Sequence, residues 1–186
     1  GCLSIAAEQD DKDDGYVDAQ THNGQFLEVI GYKTALNYAQ RVILANYLAN
    51  KYSLSISNDR YAHDFSYAHD LAGIGRYNSS NTHMAAQSAG ILEVSNPSGM
   101  NSDDEYLLFA HDDAGVSSWT TTNTPANVQR ISREWRFDET GSMGTVRVTV
   151  DNSTLPALSG NYTKWGIMVD NDGDFSSGAE IYELAA

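Results

Sequence analysis

Six short runs of β-branched, aromatic and aliphatic residues, each closed by Gly, Pro, Asn or Asp clusters, fill the chain from Ile91 to Leu184. They cover residues 91–94, 106–110, 128–137, 145–150, 165–169 and 180–184, the spacing of an antiparallel sandwich. Val146, Val148 and Val150 alternate with Arg147 and Thr149, so one face of that run is buried and the other wet. In residues 130–137 the odd positions carry Ile131, Arg133, Trp135 and Phe137. An arginine on that face is expected to find a carboxylate or to cap the sheet edge.

The first half reads differently. FLEVIGY, residues 26–32, is rich in strand-forming residues and predicts a strand. Asn37 and Gln40 then stand at N-cap and N3 spacing, where each side chain can satisfy a backbone donor that the first helical turn leaves open. They predict a helix over 38–52. Gln40, Ile43, Leu44, Tyr47, Leu48 and Lys51 recur at helical spacing on its packed side, and Arg41, Asn46 and Asn50 point elsewhere. Residues 53–90 show few clear strands. Within them LAGIGR, residues 71–76, is a short buried segment whose Gly73 and Gly75 permit close packing. The fold expected is therefore mainly β, an antiparallel β-sandwich with one amphipathic helix near residues 38–52. Residues 26–186 form one domain, preceded by an acidic arm over residues 1–25.

Twenty-five acidic against eleven basic residues leave a net charge of −14. That balance disfavours nucleic acid and anionic membranes, which attract basic surfaces, and suits an extracellular protein that binds divalent cations. The lone cysteine, Cys2, permits no internal disulfide. No apolar run approaches the roughly 20 residues of a membrane helix. The chain opens at Gly1 without methionine, which suits a processed form or a fragment. Its arm holds an apolar start, residues 2–7, and then Glu8, Asp10, Asp11, Asp13, Asp14 and Asp18 against Lys12. Three readings stay open: a solvated tail, a second cation site, or a strand donated to another copy of the chain.

The densest chemistry lies in WGIMVDNDGDFSSGAEIYEL, residues 165–184. Asp170, Asp172 and Asp174 alternate, and Gly173 and Gly178 let the backbone curl. Crowded carboxylates call for a hard cation, and Ca2+ with its six to eight oxygen ligands fits best. Ser176 could add an oxygen, and Glu180 or Glu183 a carboxylate from the next strand. The flanking runs are strands, and the sixth-position Gly and twelfth-position Glu of an EF-hand are missing, so a calcium loop of β-hairpin type is expected. Asp103, Asp104, Glu105, Asp112 and Asp113 are weaker cation candidates that read equally as solvated turns.

Ala-His-Asp occurs three times, at His63, His69 and His111. Imidazole beside carboxylate suits zinc or general base catalysis, but the spacing matches no metal motif, and hydrogen-bonded turns are the plainer account. Nucleophile elbows, HExxH and phosphate loops do not occur.

The order of these motifs resembles a known family. FLEVIGYKTALNYAQRVILANYLANKYSLSIS is similar to the end of a laminin-G-like, concanavalin-type module of large bacterial surface proteins. HDLAGIGR, WTTTNTPANVQRISREWRFDETGSMGTVRVTV and VDNDGDFSSGAEIYEL resemble the β-rich domain of unknown function that follows such modules in secreted adhesins. The resemblance implies secretion or a bacterial cell-surface location, a β-sandwich, calcium at Asp170, Asp172 and Asp174, and a role in adhesion or assembly. The function expected is a non-enzymatic, calcium-stabilised module that recognises a glycan or peptide through Trp119, Tyr61, Tyr67 or Tyr77. A filament or sheath subunit joined by strand donation is the alternative, and a secreted hydrolase using the histidines is the second.

Overall fold

A computed structural model of the chain describes residues 24–158 and 160–185. The chain divides into two units, residues 1–35 and residues 36–186. In the first unit residues 24–35 are described, and they form neither helix nor strand. The strand expected over 26–32 is thus not formed. Strand propensity expresses how well a side chain fits a half-buried pleated surface, and every residue of this run is exposed, Leu27 by 63%.

In the second unit, helix α1 spans Tyr38–Tyr52, as its cap predicts. The Gln40 N–H donates to Asn37 Oδ1 at 3.0 Å and the Asn37 N–H donates to Gln40 Oε1 at 3.0 Å, so two donors are satisfied reciprocally. Ser53, left-handed at φ 52°, ends the helix. The buried face differs from the expected one. Ala39, Val42, Asn46, Ala49 and Asn50 are buried, while Ile43, Leu44, Tyr47 and Leu48 are half-buried and Lys51 is exposed. Small side chains let the helix approach the sheet closely, and the large ones fill the flanks: Ile43 and Tyr47 pack on the rim of the core.

Among the described residues nine strands follow: β1 (His69–Asn78), β2 (Asn81–His83), β3 (Ala85–Ser88), β4 (Leu92–Ser95), β5 (Glu105–His111), β6 (Trp135–Thr140), β7 (Arg147–Val150), β8 (Gly166–Val169) and β9 (Glu180–Glu183). They form three antiparallel sheets, ordered β2-β1-β5-β6, β3-β4-β7 and β8-β9. Among the described residues the architecture is mainly β with a single helix. The four-stranded sheet is covered on both faces. Tyr106, Leu108 and Ala110 meet Ala39 and Val42 of α1, while Leu107 and Phe109 meet Leu92 and Val94 of the three-stranded sheet. Consequently every residue of β5 is buried, and the sandwich core lies between the two sheets.

β1 explains why residues 53–90 concealed their strands. Its Gly73 and Gly75 face β5 so closely that a Cβ on Gly73 would stand 2.8 Å from Leu108 Cδ2, and one on Gly75 2.2 Å from Tyr106 Cδ1. A central strand built from Ala and Gly lacks the usual β-branched signature. The run over 128–137 is a strand only from Trp135 onward. Before it, Thr120 and Arg130 form an isolated bridge, and Ser132 donates to the Gly115 carbonyl at 3.2 Å.

Candidate functional site

β6 closes one side of the four-stranded sheet and β7 one side of the three-stranded sheet. Among the described residues neither pairs with a further strand. A groove of about 820 Å³ lies where these two edges and the β8–β9 hairpin meet. Its lining is mostly apolar, with Leu92, Ile131, Val148, Val150, Met168 and Ile181, and all three tryptophans of the chain reach it. Trp119 packs on Trp165 with centroids 5.4 Å apart, and its Nε1–H donates to the Ala157 carbonyl at 3.1 Å. The Trp135 Nε1–H donates to Ser88 Oγ at 3.1 Å. With the polar tips of Trp119 and Trp135 satisfied, these half-buried rings offer the groove apolar aromatic surface.

The charged groups of the groove are largely committed to one another. Arg130 pairs with Glu134 at 2.8 Å, Arg133 with Asp113 at 3.3 Å, and Lys164 with Glu183 at 2.8 Å. Arg133 thereby finds the carboxylate expected of it, and its Nε–H also donates to the Ala114 carbonyl at 2.9 Å. The Tyr67 hydroxyl donates to Glu134 Oε2 at 3.2 Å. Burial, and then the neighbouring Glu134 charge, raise the Tyr67 pKa above the ordinary phenol value, so it stays a neutral donor. Arg136 differs: its Nε–H reaches His63 Nε2 at 3.4 Å.

The Asp170 loop caps the β8–β9 hairpin. Asp170 Oδ1 accepts the N–H groups of Asp172 and Gly173, both at 2.7 Å, and Asp172 Oδ1 accepts that of Asp174 at 2.8 Å. Asp174 Oδ1 accepts from the Ser176 hydroxyl at 2.6 Å. The Asp172 N–H, foremost, holds the Asp170 carboxyl below its ordinary range. Gly173, at φ +86°, permits the curl. Asn123 ties the loop to residues 120–125, donating to the Gly173 carbonyl at 2.9 Å and accepting the Ser176 N–H at 3.1 Å. Glu180 accepts from the Tyr182 hydroxyl, and Glu183 is held by Lys164. The donor set is all oxygen, as a hard cation requires. Among the described residues no three His, Cys, Asp or Glu side chains converge to hold a metal; the loop carboxylates turn to their own backbone.

The remaining acidic candidates serve as structural partners. Asp103 pairs with Arg76 at 2.9 Å and Asp104 with Arg60 at 2.7 Å. Glu105 accepts the Ser102 N–H at 3.1 Å, and Asp112 accepts those of Ala114 and Glu134, each at 3.1 Å.

Two of the three Ala-His-Asp tripeptides come together across β1 and β5, where His69 pairs with His111. His111 is 1% exposed. Its Nδ1 accepts the Asp113 N–H at 3.0 Å, so in the neutral ring the proton lies on Nε2, which donates to Asp70 Oδ2 at 3.0 Å. Both nitrogens are spent on structure. His63 stands apart, edge-on to Tyr61.

Of the aromatics singled out in the sequence, Trp119 and Tyr67 line the groove, Tyr61 is buried under α1, and Tyr77 packs on Tyr38 at 4.0 Å. Trp135, Trp165 and Arg136 also line the groove and carry no mark of recognition in the sequence beyond the concentration of every tryptophan after residue 118. Cys2, the acidic residues of the arm and its donated strand lie outside the described residues. Residues 40–186 match the model of a family described as a domain of unknown function (DUF8202). No curated protein and no solved structure matches the chain.

Proposed function

The chain belongs to the DUF8202 family, and from the groove it carries we propose a non-enzymatic module that recognises a peptide outside the cell, braced by calcium. The observation that carries this reading is the convergence of Trp119, Trp135 and Trp165 on one open groove. Large, rigid aromatics in a concave apolar site supply contact area at low entropic cost. A peptide suits the groove better than a glycan. Sugar hydroxyls need many polar partners that are free to bond, whereas Arg130, Arg133 and Lys164 are already paired, and Asn127, Gln129, Asn161 and Asn171 are a minor polar share of a lining that is mostly apolar. The extracellular setting rests on the net charge of −14 and on the resemblance to secreted adhesins. Calcium rests on the oxygen-only donor set of Asp170, Asp172, Asp174 and Ser176, with Glu180 on the following strand; when bound, it would neutralise the crowded carboxylates and stiffen the hairpin that walls the groove.

The test is to screen the full chain against a peptide library and a glycan array, and to follow hits by tryptophan fluorescence. Trp119→Ala and Trp165→Ala are expected to weaken peptide binding about 30-fold, the cost of a central aromatic contact near 2 kcal/mol. No peptide hit, or affinity indifferent to both substitutions, refutes the reading. Hits on glycans alone replace the ligand class.

A further inference from the structure

The groove also presents backbone. The Asp112 N–H donates to the Glu134 carbonyl at 3.2 Å, one register step beyond the pair His111↔Trp135. In an antiparallel ladder, residues bonded to the neighbouring strand alternate with residues whose N–H and C=O face away. Glu134, Arg136 and Asp138 therefore direct their backbone groups to β5, and Trp135 and Phe137 direct theirs outward. β7 follows the same rule. The Asp151 N–H donates to the Ile91 carbonyl at 2.8 Å, so Arg147 and Thr149 face β4 while Val148 and Val150 face outward. Trp135, Phe137, Val148 and Val150 all line the groove. An open edge is a template for an added strand, and its unpaired donors and acceptors favour an occupant with an extended backbone.

Resting on the peptide-binding reading above, we propose that the ligand is an extended peptide that adds as a strand to the outer edge of β6, apolar opposite Trp135 and Phe137 and acidic opposite Arg136. β6 is favoured over β7 on length, six residues against four, and on charge. Directly opposed side chains of neighbouring strands share a face and lie about 5 Å apart, so the ligand residue opposite Arg136 meets its guanidinium. In a chain of net charge −14, Arg136 has no carboxylate within ion-pair distance among the described residues. Its same-face neighbours are engaged elsewhere: Glu134 holds Arg130 and Tyr67, and Asp138 accepts the Ala62 N–H at 2.8 Å. The free positive charge on the edge strand therefore selects a carboxylate.

The probe is the capped pentapeptide threonine–valine–glutamate–valine–threonine, titrated into the full chain by calorimetry and tryptophan fluorescence. Two N-methylated forms are compared with it, one methylated on both valines and one on the glutamate alone. Strand addition uses the N–H groups of one parity, so one form is expected to lose at least tenfold in affinity and the other to bind within about twofold, since a lost backbone hydrogen bond costs up to about 1.5 kcal/mol and the methyl group obstructs the edge. Phe137→Pro removes an outward N–H without touching the ladder to β5, a position where an edge strand tolerates proline. It is expected to bind at least tenfold more weakly than Phe137→Ala, which loses the same ring but keeps the donor. Arg136→Glu is expected to reverse preference toward the pentapeptide with lysine in place of glutamate. Binding that ignores N-methyl parity overturns strand addition and leaves the groove reading standing. No binding of the pentapeptide by the unaltered chain overturns the proposed ligand, while loss of every library hit overturns the groove reading as well. The N-methyl comparison needs no protein variant, so a folding failure of Phe137→Pro does not shield the proposal.

Discussion

Two asparagines on the buried face of α1 make a matched experiment, because one is fully employed and the other is idle. Asn46, 1% exposed, donates through Nδ2 to the Val42 carbonyl at 2.9 Å and the Asn58 carbonyl at 3.0 Å, and accepts the Arg60 N–H at 2.7 Å. Asn50, 4% exposed, has no hydrogen-bond partner for either amide atom among the described residues. Asn46→Leu, nearly isosteric, strands the Arg60 N–H and the Asn58 carbonyl; the Val42 carbonyl still bonds along the helix. At about 1–3 kcal/mol for each stranded group, taken near the low end because the partners are half-buried, the loss is about 2–4 kcal/mol. At roughly 2–4 °C per kcal/mol for a chain of this size, the melting temperature falls by about 5–15 °C. Asn50→Leu removes two unsatisfied polar atoms and improves helix propensity, so it is expected to stabilise the fold by up to about 1–2 kcal/mol. Urea unfolding at pH 7, followed by circular dichroism and fluorescence, measures both. If the two midpoints move in the same direction by similar amounts, hydrogen-bond satisfaction does not distinguish the two sites and the reasoning fails.

Gly75→Ala places a methyl group 2.2 Å from a ring carbon of Tyr106, which is fully buried; a loss of about 1–3 kcal/mol in urea unfolding is expected, and a neutral result shows that the ring moves freely. Burial lowers the His83 pKa below its ordinary 6.5, so the unfolded chain binds the proton more readily. Its contribution to stability is present above about 6.5 and is lost as pH falls through the lower folded-state value; between pH 7.5 and 5 the native chain should lose more stability than His83→Gln, and equal losses refute the assignment. Chelator is expected to lower the melting temperature of the native chain by the calcium linkage free energy, about 2.7 kcal/mol at a hundredfold excess over Kd, and to leave Asp172→Ala unmoved. Identical melting curves of the native chain with calcium and with chelator reduce the Asp170 loop to an acidic turn.

What could be read from the sequence was whatever depends on neighbours along the chain. The Asn37–Gln40 box set the start of α1, and Val148 and Val150 announced β7 by alternation, because caps and pleats act within four residues. FLEVIGY differs for the complementary reason: its residues are exposed, and strand propensity is expressed on a half-buried pleated surface. On the helix, bulk does not mark burial. At α1 the sheet selects Ala39, Val42 and Ala49 for close approach, and the polar Asn46 is buried through partners at residues 58 and 60. Such a choice depends on distance to another element and leaves no period in the helix itself.

The groove is the extreme case of that dependence. Trp119, Trp135 and Trp165 come from a loop, a sheet edge and the residue before β8, and nothing local links them. Whether a backbone group on β6 is free follows from the register with β5, where a shift of one residue would turn Trp135 and Phe137 inward and Arg136 outward. Register in turn is held by the two-sided burial of β5, with Tyr106 and Leu108 under the helix and Leu107 and Phe109 against the second sheet. A one-residue slip would exchange the two sets and bring Leu108 or Ala110 to the position where Phe109 now stacks on Phe137 at 5.3 Å. The edge chemistry of β6 is therefore a consequence of core packing two strands wide, and substitutions in β5 that leave the groove untouched should still alter what the edge can bind.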